Sequence, residues 1–92
     1  MQKSSELVSL VQALGRGSVE AFDKLYLLFR PKVDRVLGAI VGGDNYQIIN
    51  DIAQNIFLNV WRKRSQIADT VRDFNAYLFR MTKNEALNYL SR

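Results

Sequence analysis

No cysteine and no histidine occur among the 92 residues, and there is a single proline. Without Cys there is no disulfide and no thiolate metal site, and without His there is no imidazole base and no Ser-His or Cys-His nucleophile pair. Carboxylate or lysine chemistry survives in principle, but the nine acidic residues are scattered, with no Asp-x-Asp or Glu-x-x-Glu grouping. No catalytic residue, metal site or cofactor is expected, and the chain reads as a non-enzyme. The lack of Cys fits a reducing compartment. No apolar run reaches the roughly 18 to 20 residues that span a bilayer. The opening MQKSSELVSL has neither the apolar core nor the cleavage site of a signal peptide. Membrane insertion is therefore not expected, and a cytoplasmic location is.

What is present describes a foldable chain: 48% hydrophobic and 24% charged residues over a length that makes one small domain, residues 1–92. The net charge is +4. Residues 1–61 hold six basic and six acidic side chains and are neutral, whereas residues 62–92 hold seven basic and three acidic ones. All the excess positive charge lies in the last third. That asymmetry suits a polyanionic partner, with a solvated basic face as the alternative.

The punctuation predicts four helices and no strand, an all-α bundle. A first helix runs from the Ser4-Ser5 pair to Gly15-Arg16-Gly17, where glycine permits the left-handed closing turn. Ser18 caps a second helix with Glu20 in its first turn. Phe22, Leu25, Phe29, Val33, Val36, Leu37 and Ile40 form its apolar stripe, in phase on both sides of Pro31, so the proline kinks the helix without ending it. Gly42-Gly43 ends it, and Asp44 or Asn45 caps a third helix.

That third helix gathers Ile49, Ile52, Ala53, Ile56, Phe57, Val60 and Trp61 on one broad face. Its other face carries Gln47, Asp51, Gln54, Asn55, Leu58 and Arg62, a leucine ringed by hydrogen-bonding groups. Such a ring suits a docking surface with an apolar anchor; a single exposed leucine is the plainer alternative. The stretch KRSQIADTVRD breaks the period and holds Ser65, Asp69 and Thr70, predicting a loop over residues 65–72.

Asp73 opens the last helix. At about 100° per residue, Phe74, Leu78, Met81 and Tyr89 share one side and Phe79, Ala86 and Leu90 another, both suited to packing. Tyr77, Arg80, Asn84, Asn88 and Ser91 share a third arc, which is expected to be exposed. Rings, guanidinium groups and amides are what unpaired bases and phosphates require, and Arg62, Lys63, Arg64 and Arg72 lie near the same end of the helix. The alternative is that Tyr77 only borders the core with its hydroxyl in water.

Three segments, AFDKLYLLFRPKV, DIAQNIFLNVWRKR and FNAYLFRMTKNEALNYL, together resemble region 2 of bacterial sigma factors of the extracytoplasmic-function group, the dissociable promoter-recognition subunits of RNA polymerase. The resemblance runs from about Leu7 to Arg92. Its most specific parts are Asp51, Gln54, Phe57 and Trp61 at their spacing, and the run from Tyr77 to Asn84. It implies that Asp51 and Gln54, with Asn55 and Leu58 beside them, dock on the clamp coiled coil of the largest polymerase subunit. Where relatives often have acidic neighbours of this pair, Asn50 and Asn55 stand here.

The resemblance also implies that the 65–72 loop and the last helix engage the −10 promoter element, with a base of the non-template strand flipped into a pocket formed by that loop. The expected DNA contacts are Arg62, Lys63, Arg64, Arg72, Tyr77, Arg80, Lys83, Asn84 and Asn88. An anti-sigma factor is a further expected partner, and a helical module that binds only such a partner, without DNA, is the alternative function. Relatives continue into a helix-turn-helix region 4 that is absent from this sequence, which suggests a domain excised from a longer chain.

Overall fold

The computed structural model describes residues 2–92, with side chains from Glu6 onward. Its elements are α1 (Gln2–Gly15), α2 (Val19–Val41), α3 (Tyr46–Arg62), α4 (Arg64–Thr70) and α5 (Phe74–Leu90). No strand occurs among the described residues, so the all-α expectation holds. None of the described helices is long and apolar enough to cross a membrane.

The caps follow from local chemistry. Ser18 Oγ accepts from the Ala21 amide at 3.1 Å and Asp73 Oδ1 from the Ala76 amide at 3.0 Å, satisfying donors that the first turn leaves free. Gly17 (φ 89°) and Gly42 (φ 103°) make the two reversals that need a left-handed residue. Asn45 rather than Asp44 precedes α3, and its amide side chain donates back to the Val41 carbonyl at 2.9 Å instead of capping the new helix.

α2 is the centre of the bundle. It packs on α1, α3 and α5, and Leu25, Val33 and Leu37 on its stripe are almost fully buried. α2 continues through Pro31 without interruption. Against α3 its aromatic residues meet edge to face: Phe22 with Phe57 (6.5 Å between centroids) and Trp61 (5.4 Å), and Tyr26 with Phe57 (4.8 Å). Phe29 meets Phe74 of α5 in the same way at 5.3 Å.

One polar network ties α2 to α3. Arg30 donates from Nε to Asp34 (2.7 Å), from Nη1 to the Tyr26 hydroxyl (2.6 Å) and from Nη2 to Asn50 Oδ1 (2.9 Å). Burial acts to lower the Arg30 pKa, but hydrogen bonding to Asp34 and its charge outweigh that and raise it, so the guanidinium stays charged.

Two expectations are corrected. Residues 65–72 are mostly helical: α4 covers Arg64–Thr70, giving five helices among the described residues where four were expected. Ile67 is buried under α1, Gln12 Nε2 donates to the Ala68 carbonyl at 3.1 Å, and Thr70 Oγ1 donates back to Gln66 at 2.7 Å. Tertiary cover over one isoleucine stabilises two turns that are too short to show a period.

The second correction concerns α5, whose buried line is Phe74, Leu78, Thr82 and Ala86 at intervals of four. Phe79 and Leu90, expected in the core, are 44% and 53% exposed. The line runs through Thr82, which looks polar in sequence but donates its hydroxyl to the Leu78 carbonyl at 2.7 Å and so enters the core satisfied.

Gly15 meets α4 where a side chain would not fit: a methyl group there would overlap Ala68 Cβ. Gly→Ala inside a helix normally gains up to about 1 kcal/mol, whereas overpacking costs about 1–3 kcal/mol. Gly15→Ala is therefore expected to lower the unfolding free energy in urea, and Ala68→Gly in that background to recover part of the loss.

Candidate nucleic-acid interface

α5 lies against α2 on one side and α3 on another, which leaves its third side open. There a groove of about 350 Å³ runs between the end of α3 and α5. It brings together five of the residues expected at the DNA interface: Lys63, Tyr77, Arg80, Asn84 and Asn88. Three more line it that sequence reasoning did not assign: Asn59, Met81 and Glu85. Met81, expected in the core, is half-buried at this margin. Asn59 and Glu85 belong to neither an apolar stripe nor a basic run, and only the packing of α3 on α5 brings them here.

The chemistry of the groove is mixed. Lys63 and Arg80 supply cations, Asn59, Asn84 and Asn88 supply amides that both donate and accept, and Tyr77 supplies a ring. Tyr77 is half-buried, and burial raises its pKa above the ordinary value of about 10. Its hydroxyl is thus a donor at neutral pH. Glu85 is the acidic group of the groove and favours ligand donors or repels phosphate where it stands.

The remaining expected DNA contacts lie elsewhere. Arg62 is exposed near the end of α3. Arg64 turns back onto α3: its guanidinium carbon lies 4.2 Å from the Trp61 ring centroid and Nη1 donates to the Trp61 carbonyl at 2.9 Å. Lys83 sits on the other flank of α5 with Nζ 5.8 Å from the Phe79 ring centroid. Arg72 edges a separate hollow of about 470 Å³ between α1 and the α4–α5 turn, lined also by Val8, Val11, Val71 and Phe74.

On α3, the expected docking residues Asp51, Gln54, Asn55 and Leu58 are all exposed, Leu58 by 47%. Their neighbour Asn50 is committed to Arg30. Among the described residues no three His, Cys, Asp or Glu side chains gather in a way that could hold a metal ion.

Fold and site together define an all-helical domain with a cationic, amide-lined groove on its last helix and a separate mixed face on α3. The family model of sigma-70 region 2 matches residues 25–92, and the chain belongs to that family. Region 2 of sigma-70 factors is a non-enzymatic domain of transcription initiation that serves promoter recognition with RNA polymerase and promoter DNA. The match begins inside α2, so α1, which the sequence resemblance included from about Leu7, lies outside it. No curated protein and no solved structure matches the chain.

Two outcomes follow from the geometry. Arg64→Ala should lower stability by about 1 kcal/mol through the lost cation–π contact and hydrogen bond, while Arg62→Ala should stay within about 0.5 kcal/mol, both read from urea denaturation. The raised Tyr77 pKa contributes stability that is full below about pH 10 and declines as pH rises through the folded value. In melts from pH 8 to 11.5, Tyr77→Phe should therefore lose less stability at the alkaline end than the parent.

Proposed function

We propose that the groove between α3 and α5 captures single-stranded DNA of the −10 promoter element, and that the Asp51, Gln54, Asn55 and Leu58 face of α3 docks on the polymerase clamp coiled coil. One observation carries this: cations, a ring and amides from two helices meet along the open side of α5, with Lys63, Tyr77, Arg80, Asn84 and Asn88 on one groove. Arg80 and Lys63 pair with phosphates, Tyr77 offers a face for base stacking, and Asn84 and Asn88 meet base edges. The Arg72 hollow, with apolar walls at Val71 and Phe74, accommodates an extruded base. Motif spacing supports the extracytoplasmic-function subgroup, and work on chromosomal DNA puts the domain in the cytoplasm.

Magnitudes set the mechanism. Extruding a base costs a few kcal/mol, and stacking on an aromatic ring returns about 1–3 kcal/mol per base. The two nearly cancel, so the isolated domain binds unpaired strands and opens duplex poorly. Opening is driven when polymerase binding holds the domain on the promoter. An anti-sigma factor covering Leu58 would block that step without touching the groove.

Fluorescence anisotropy with a labelled −10 oligonucleotide tests the proposal. The single strand should bind at least tenfold more tightly than the same sequence as duplex, and equal affinities would refute strand capture. Arg80→Ala should weaken binding to all sequences and reduce the salt slope by about one.

A further inference from the structure

The open side of α5 continues past the groove toward the α2 flank. Phe79, Leu87 and Leu90 are 44%, 51% and 53% exposed there. With Lys83 they recur at intervals of three and four, one line about 16 Å long along the helix. α2 continues the surface sideways: Lys32 and Val36 line a shallow hollow with Phe79, and Lys32 Nζ is held by Asn75 of α5 at 2.6 Å.

The charged side chains placed beside this line, Lys32 and Lys83, are both basic. The acidic side chains of these two helices are placed elsewhere: Asp34 is bound to Arg30, Asp73 caps α5, Glu85 lines the groove, and Glu20 and Asp23 stand near the start of α2. Lys32 beside Phe79 and Lys83 within the line are thus not opposed by a carboxylate of either helix.

We propose that this face docks an acidic amphipathic helix of a protein partner. Its apolar residues cover Phe79, Leu87 and Leu90, and its carboxylates meet Lys32 and Lys83. Charge complementarity selects the occupant. A second copy of the chain carries the same net charge of +4 and would set like charges against each other. Nucleic acid fits less well, since leucines offer no stacking face and the amides of α5 that could read bases, Asn84 and Asn88, belong to the neighbouring groove. An anionic bilayer would reward insertion of a broad apolar face, whereas this line is one residue wide on a helix whose Ala86 and Thr82 are already buried in the bundle.

Because this proposal and the strand-capture proposal rest on different residues of α5, they fail independently. The probe is a fluorescein-labelled synthetic helix of leucines at i, i+3 and i+7 flanked by glutamates, compared with a scrambled peptide of equal composition. The ordered peptide should bind at least tenfold more tightly than the scrambled one, and more weakly as salt rises. The double variant Phe79→Ser, Leu90→Ser and the single variant Lys32→Glu should each lower peptide affinity at least fivefold. The double variant should keep its thermal transition and its single-strand affinity within twofold. Equal binding of ordered and scrambled peptides, or full affinity in the folded double variant, would overturn the proposal. So would binding of phosphatidylglycerol vesicles that the peptide fails to displace.

Discussion

Burial of the α2 stripe is the constraint on which every other feature of this sigma-70 region 2 domain depends. α2 contacts α1, α3 and α5, so its one line of apolar residues fixes where three other helices stand. Leu25, Val33 and Leu37 supply apolar area, and the rings of Phe22, Tyr26 and Phe29 add edge-to-face geometry that sets rotation as well as distance. The Arg30 network, reaching Asp34, Tyr26 and Asn50, is a polar pin at the same seam. Once α3 and α5 are seated on α2, the residues they cannot bury are presented at fixed angles, and those residues supply the groove and the Leu58 face.

This explains why a count of positive charges overstates the interface. Seven basic residues occur after position 61, yet the structure distributes them among different tasks. Lys63 and Arg80 reach the groove, Arg64 stacks on Trp61 and strengthens the α3–α4 junction, Arg72 edges a hollow next to α1, and Lys83 lies over Phe79 on the far flank. A polyanion approaching the domain feels the summed field of them all. In the proposed complex, close contact falls to those that share a surface with the ring of Tyr77 and the amides, and to Arg72 at its hollow.

Much of this was legible in the sequence. The α2 and α3 stripes, the Ser18 and Asp73 caps and the glycine reversals each depend on local chemistry, and each stands where spacing put it. The open arc of α5 was legible for the same reason at Arg80, Asn84 and Asn88, whereas Tyr77, expected on it, is half-buried against the core. What failed depended on tertiary contact. α4 exists because α1 covers Ile67, and no periodicity emerges from seven residues. Phe79 and Leu90 are open because neither α2 nor α3 extends far enough around α5 to cover them, while Thr82 is buried because its hydroxyl finds a carbonyl one turn back. Asn59 and Glu85 joined the groove through a helix–helix approach that no single-helix projection contains.

The central claim is that the groove side of α5 faces the unpaired DNA strand while its Phe79 and Leu90 line and the Leu58 face of α3 remain free for protein partners. Chemical-shift mapping of the isotopically labelled domain, titrated with single-stranded −10 DNA, tests it most directly. Perturbations are expected to cluster at Lys63, Tyr77, Arg80, Asn84 and Asn88, with Asp51, Leu58, Phe79 and Leu90 undisturbed. A cluster centred on Phe79 and Leu90, or on Asp51 and Leu58, would contradict the account.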